Sequence, residues 1–383
     1  MGPIRQTRAP AALYGTVFVD LLGFTLVLPS LPFQVTDLGG NAIWLGVVLT
    51  SYSLCQAVAA PVLGRLADRH GRRRLLLLSL AGSTVSLALM GLAGSLWLLL
   101  AARAAAGICG GSIGVANAFA AQLAGADGRT RVMGRVGAAV GLAFTIGPAL
   151  GALAAPLGFA VIALVGAGLA LLNLVVAAAL LPPGRTETHR PAAAGRRRVA
   201  PWRLLAAGFG AMAAFVGMET TVAYLAAARF DAGPALVGVL LALAGLTLVV
   251  VQGFLVAPAA RRWGETRVAT TGAALMAAGL LAMPLLAEVP FVVAVLVVSA
   301  GNGMLTTTVA SLLAGAGPPR DIGARMGQGQ SAAAAARAAG PLTAGALFDA
   351  AMIVPYLLGA LLSLGVAWCV SAGTRERQPT AKR

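Results

Sequence analysis

Three charged residues of this 383-residue chain, Asp20, Arg103 and Glu219, stand inside long apolar stretches. A charge at the centre of a lipid-embedded helix costs about 2.5 to 3.5 kcal/mol on insertion scales, so such residues mark proton relays, ion pairs or substrate pathways. A carboxylate in that setting can take up and release a proton as its surroundings alternate between dry and wet. Asp20 is read as such a proton carrier, with a backbone-bonded packing group as the alternative. It lies roughly 12 Å into its stretch at 1.5 Å per residue. Arg103 shares a helical face with Gly107, Gly110, Gly114 and Asn117, a face too small and polar for lipid. Its alternative is a structural charge partner. The two heights differ by about 10 Å along the helical rise, so sequence alone does not join Asp20 and Arg103 in a salt bridge. Glu219 is about two-thirds of the way up its stretch and either couples to protons or lines an outer mouth.

The elements that must hold these residues are membrane-spanning helices. Hydrophobic residues make up 59% of the chain and charged ones only 10%, far from the about 25% charged of a soluble domain. Twelve apolar runs, each about long enough to cross a ~30 Å hydrocarbon core, are expected at 12–34, 42–63, 74–94, 96–118, 133–154, 158–181, 202–226, 235–257, 268–287, 290–314, 327–348 and 353–372. The first run is longer than a secretory h-region of about 7–15 residues and contains Asp20, so it is read as a span. Of the 28 basic residues, 25 fall in the termini, in alternate loops or on the first residues of the spans that leave those loops, which predicts that both termini are cytoplasmic. The net charge of +16 then reflects topology and anionic headgroups rather than nucleic-acid binding. Cys55, Cys109 and Cys369 fall inside predicted spans without metal-ligand spacing and read as packing residues.

The chain also repeats itself. Gly71 and Gly264 are 193 positions apart, and the same separation places Arg69 on Arg262, Arg74 on Arg267, Met133-Gly134 on Met326-Gly327 and Gly147-Pro148 on Gly340-Pro341. This predicts an all-α membrane protein of twelve transmembrane helices in two pseudo-symmetric six-helix bundles around a central cavity. The bundles are expected at 1–182 and 202–374, with a polar, basic cytoplasmic linker at 183–201 and a cytoplasmic tail at 375–383.

The loop after the second run, Gly64 to Arg74 (GRLADRHGRRR), carries six formal charges and a histidine in eleven residues. Gly64 and Gly71 are read as the turns that end one helix and begin the next. Asp68 is the single acid, able to join a network with its arginines or to meet the positive N-terminal end of a helix. The loop resembles the signature loop of the major facilitator superfamily. The likeness extends to Asp20-Leu-Leu-Gly23-Phe24 with Leu28-Pro29-Ser-Leu-Pro32, to Arg103 with Gly107, and to Gly137, Gly141, Gly147-Pro148 and Gly151, which look like the first, fourth and fifth helices of the twelve-span drug/proton antiporters, tetracycline exporters included. The resemblance implies a conformational latch at Gly64, Asp68, Arg69, Gly71 and Arg72, with Asp68 meeting the eleventh helix near Gly327. It also implies a role for Gly141, Gly147, Pro148 and Gly151 in controlling leak, a plain proline kink being the alternative. Close packing of those glycines is expected against the other half. In the repeat, Arg261 occupies the place of Asp68, so the second loop reads as having lost its acid and the equivalent role. Arg337 is read as snorkelling to the cytoplasmic interface.

Tyr52, Gln56, Asn117, Asn302 and Thr306 are expected to contact substrate in a mostly apolar cavity. Such a cavity favours lipophilic or amphipathic compounds; sugars need more hydrogen-bonding side chains. The function expected is export of small organic compounds by proton antiport and alternating access, from a monomer in a bacterial cytoplasmic membrane whose partners are substrate, protons and membrane lipids. An uptake symporter or facilitator is the alternative. No cofactor, metal or catalytic cluster is expected: nucleotide-binding loops are absent from the sequence, and the two histidines, His70 and His189, fall in predicted cytoplasmic loops. The Ala- and Arg-rich composition with a single lysine, Lys382, points to a GC-rich bacterial genome.

Overall fold

The computed structural model describes residues 3–110, 112–181, 200–231 and 234–375. Nearly all of the 183–201 linker and of the 375–383 tail lies outside the described residues. Among those described there is no strand. The helices are α1 (Pro3–Leu26), α2 (Leu31–Asp37), α3 (Ala42–His70), α4 (Arg72–Gly91), α5 (Leu96–Cys109), α6 (Ser112–Ala154), α7 (Phe159–Leu180), α8 (Pro201–Phe230), α9 (Pro234–Val250), α10 (Val256–Trp263), α11 (Glu265–Ala282), α12 (Glu288–Gly315), α13 (Ile322–Ala350) and α14 (Val354–Arg375).

Eleven stretches among these are long and apolar enough to cross a membrane. The twelfth expected span falls on α13, which has the length, 29 residues, but carries Arg325, Gln328, Gln330, Ser331 and Arg337 along it. Several boundaries differ from expectation for local reasons. The first span breaks at 27–30, where Pro29 cannot donate a helical hydrogen bond, and resumes in α2 with a proline at its start. The expected fourth span breaks at Gly110, whereas the loop expected after it is helical, because α6 runs unbroken for 43 residues. The eighth span continues from α9 into α10 through a π-helical turn, Val251–Leu255, next to Pro258, whose missing N–H frees a carbonyl one turn earlier.

The described residues group into two compact units. The first is made of the described residues within Met1–Gly125, Arg135–Glu187 and Arg320–Ala335; the second, of those within Ala126–Gly134, Thr188–Pro319 and Ala336–Arg383. In the first unit a core of Leu26, Val27, Val48, Leu87, Met90, Leu99, Phe159 and Ile162 fills the space between α1, α3, α4, α5 and α7. A Cβ on Gly23 of α1 would meet the Gly166 carbonyl oxygen of α7 at 3.1 Å, so the two backbones approach as small residues permit. In the second unit α11 and α12 pack through Gly272 and Gly301, where a Cβ on either would meet the other's carbonyl oxygen at 2.7 or 2.5 Å. The sequence repeat is visible in backbone geometry: Gly71 precedes α4 with φ 96° and Gly264 precedes α11 with φ 87°, values that side-chain-bearing residues rarely adopt.

Candidate functional site

Asp20 lies on the last turns of α1 with 7% of its surface exposed. Its Oδ2 accepts a hydrogen bond from Ser112 Oγ at 3.0 Å, and its Oδ1 has no hydrogen-bond partner among the described residues. The carboxylate borders a small cavity lined by Phe24, Tyr52, Ser83, Met90, Gly110 and Ser112 among others. The space open to the centre of a water molecule is about 20 Å³, enough for a water or so, since one needs about 10–15 Å³. A drug-sized molecule, which takes a pocket of about 300 Å³ or more, does not fit.

Arg103 of α5 is 1% exposed. Its guanidinium carbon lies 5.0 Å from the centre of the Phe24 ring and 5.2 Å from that of Tyr52, and the two rings stack on each other at 4.5 Å. Among the described residues Arg103 makes no ion pair with an acid, and its Nε and Nη1 have no hydrogen-bond acceptor. Asp20 and Arg103 are therefore neighbours of the same aromatic pair without being a salt bridge. Gln56, 1% exposed, donates to the Gly110 carbonyl at 2.7 Å and to Tyr52 Oη at 3.3 Å, tying α3 to the break after α5. Asn117 is half-buried on α6.

The charged loop is half helix. α3 continues to His70, so Gly64 is a mid-helix residue and not the turn expected of it; only Gly71 turns the chain. What Gly64 provides is proximity, because a Cβ there would lie 2.2 Å from the Gly323 carbonyl oxygen. This brings Asp68, one turn further on, to the start of α13, where Oδ1 accepts from Gly323 N–H at 2.9 Å and Oδ2 from Ala324 N–H at 2.8 Å. Those amides have no partner within their own helix. Arg72 Nη2 donates to Asp68 Oδ1 at 3.0 Å, and Arg72 Nη1 reaches the Ala118 carbonyl at 3.2 Å and Gln122 Oε1 at 3.0 Å. Asp68 thus meets both an arginine and a helix N-terminus. Gly327, one turn into α13, packs on the Ala60 carbonyl. Arg69 is exposed and stands outside this contact.

Pro148 lies inside α6. The small residues beside it face α1 in the same half of the sequence, not the other half as expected: a Cβ on Gly147 would meet Thr25 Oγ1 at 1.9 Å, and one on Gly151 the Leu26 carbonyl oxygen at 2.1 Å. Thr25 Oγ1 donates to the Ala143 carbonyl at 3.0 Å, and the Gly141 carbonyl accepts from Thr145 Oγ1 at 2.8 Å. In this helix the glycines serve the α1 contact, one turn from the break at 27–30.

In the second unit Glu219 is exposed on α8, and the opposite charge acting on it is Arg337 of α13. Arg337 lies further along its helix than the sequence suggested. α13 starts five residues earlier than expected, which puts Arg337 about 22 Å into the helix, beside the stretch where Gly340 packs on Val216 of α8. Asn302 is 5% exposed and its side-chain oxygen has no partner among the described residues. Thr306 donates to the Asn302 carbonyl at 2.7 Å and accepts from Gln252 Nε2 at 3.4 Å.

Sequence reasoning missed Ser83, Ser112, Thr25, Gln122 and Gln252. Serines and threonines in apolar runs commonly bond their own helix backbone, so their types carry no signal of these tertiary partners. Gln252 carried one, as a long amide inside an otherwise apolar run.

The family profile described as Major Facilitator Superfamily matches residues 13–255. The chain is 33% identical over 325 residues to the class C tetracycline resistance protein of Escherichia coli, covering 79% of this chain and 80% of that protein. Among solved structures, the human organic anion transporter MFSD10 (TETRAN) superposes with a TM-score of 0.83 at 25% identity, over 97% of this chain and all of that one. The fucose:proton symporter of E. coli superposes with a TM-score of 0.75 at 14% identity, over 96% and 98% of the two chains, a likeness of fold.

Proposed function

Because the chain belongs to the major facilitator superfamily and is a membrane transporter, we propose that it exports small organic compounds in exchange for protons by alternating access. In this reading Asp20 is the proton carrier. The observation that carries it is the water-sized cavity at the Asp20 carboxylate: a buried acid with one oxygen free and room for water, but not for substrate, is suited to proton exchange and to nothing larger. Arg103, held by Phe24 and Tyr52, keeps a positive field near that acid without neutralising it. Substrate binds elsewhere, with Asn117 in the first unit and Asn302 and Thr306 in the second each a separate candidate contact. Asp68 latches α3 to α13 for part of the cycle, and Gly141, Gly147, Pro148 and Gly151 limit leak by keeping α6 on α1. The remaining parts of the reading are a monomer in a bacterial cytoplasmic membrane, two bundles at 1–182 and 202–374 joined by the 183–201 linker, both termini inside, and membrane lipids around it.

The tetracycline resistance relative favours a tetracycline-like amphipathic substrate. A second reading, export of organic anions, is favoured by the similarity to the human organic anion transporter. Everted membrane vesicles with an imposed acid interior separate the two. Tetracycline and a fluorescent organic anion are added in turn, and uphill accumulation with discharge of the gradient is read for each. Accumulation of neither, or entry indifferent to the gradient, removes proton-coupled export.

A further inference from the structure

The second loop has an acid that the sequence repeat conceals. At the separation of 193 positions, Asp68 corresponds to Arg261, Arg72 to Glu265 and Gly323 to Thr130. The first loop therefore places acid before base one helical turn apart, and the second places base before acid. Glu265 opens α11. Its Oε1 accepts hydrogen bonds from Thr130 Oγ1 of α6 and from Ser311 Oγ of α12 at 2.6 Å, the two hydroxyl oxygens being 3.1 Å apart. The partner position is preserved through the repeat although the charges have exchanged places.

The surroundings follow the same plan. A Cβ on Gly134 would meet the Gln252 carbonyl oxygen at 2.2 Å, and one on Gly327 the Ala60 carbonyl oxygen at 2.3 Å; these two glycines are again 193 positions apart. In each case a helix from one half of the sequence is pressed, through a glycine, on the helix that leads into a charged loop of the other half. The chemistry of the acid differs because the partner helix differs. α13 begins at Ile322, so Asp68 finds free amides there. α6 passes unbroken through residue 130, where every amide is already used, so an acid at that position needs a side-chain donor. Thr130 supplies one, and the longer, one-turn-later glutamate reaches it.

We propose that Glu265 is a second conformational latch, the charge-reversed counterpart of Asp68, which holds α6 at Thr130 and must release it in each transport cycle. The inference rests on the alternating-access reading above. It replaces the expectation that the second loop had no such role.

The test uses the full-length protein with Cys55, Cys109 and Cys369 replaced, carrying Thr130→Cys and Glu265→Cys, in everted vesicles with tetracycline and the fluorescent organic anion as probes. Bridging the two thiols with a short bis-methanethiosulfonate reagent should arrest transport, and dithiothreitol should restore it. Transport at the unbridged rate with the bridge in place overturns the proposal. A parent protein that transports neither probe uphill would instead count against the proposed function. Independently, Glu265→Gln and Thr130→Val should each shift the distance distribution between spin labels placed beside Thr130 in the middle of α6 and at the start of α11 toward longer values, on the order of tenfold in population. The double variant should shift it no further than either one; additive or absent shifts overturn the contact as a latch.

Discussion

The Asp68 carboxylate and the Gly323 backbone N–H are joined at 2.9 Å across 255 positions of sequence. With Ala324 N–H on the second oxygen, the aspartate serves as the N-terminal cap of a helix to which it does not belong, where negative charge is favoured.

Asp68→Asn keeps one acceptor but loses the second amide and the Arg72 pairing. The contact should weaken by about 0.3 to 1 kcal/mol, up to ~2 when partly buried. Spin-label distances between the end of α3 and the start of α13 should shift several-fold toward the separated population, and transport should slow without loss of protein from the membrane. An unchanged distribution would leave the loop with no task beyond topology.

Gly64→Ala should be at least as damaging as removing the charge. Its methyl would meet a backbone carbonyl at 2.2 Å, which cannot rotate away, and overpacking of this kind costs about 1 to 3 kcal/mol. Transport rate and the same distances are the readout; wild-type behaviour would mean that α3 and α13 are not in close contact during the cycle.

The charge of this loop was legible in the sequence, and its exact contact was not. Asp68 declared itself as the only acid among arginines, but its partner was expected near Gly327 and is a turn earlier, because Arg325, close behind Pro318, Pro319, Arg320 and Asp321, disguised the start of α13. The same disguise misplaced Arg337. Gly64 read as a turn because helix-ending and close-packing glycines look identical until the neighbour is known. Glu265 was overlooked because a repeat compared position by position sees Arg261 and stops there. Asp20 and Arg103 stood out at once as charges in apolar runs, whereas the aromatic pair between them, Phe24 and Tyr52, could not be told from core.

Arg103→Met should leave stability unchanged or raise it. A desolvated ion carries a penalty of several kcal/mol, more than the two ring contacts return at about 0.5 to 2 kcal/mol each, and no acid is orphaned by its removal. Transport should nevertheless fall sharply. A large drop in the melting temperature of the purified variant would show that Arg103 has a stabilising partner.

A cysteine placed between residues 183 and 201 should resist an impermeant thiol reagent in intact cells and react once the cells are opened. Labelling from outside would reverse the orientation drawn from the basic loops.

Proton coupling through Asp20 is the centre of the account. Asp20→Asn preserves the size of the side chain and the contact with Ser112 while removing the titratable group. In everted vesicles with an acid interior, this variant should bind the transported compound and equilibrate it down its own gradient, yet fail to accumulate it uphill or discharge the proton gradient. Full gradient-driven accumulation by Asp20→Asn would contradict the account and move the proton site elsewhere, with Glu219 and its partner Arg337 the next place to look.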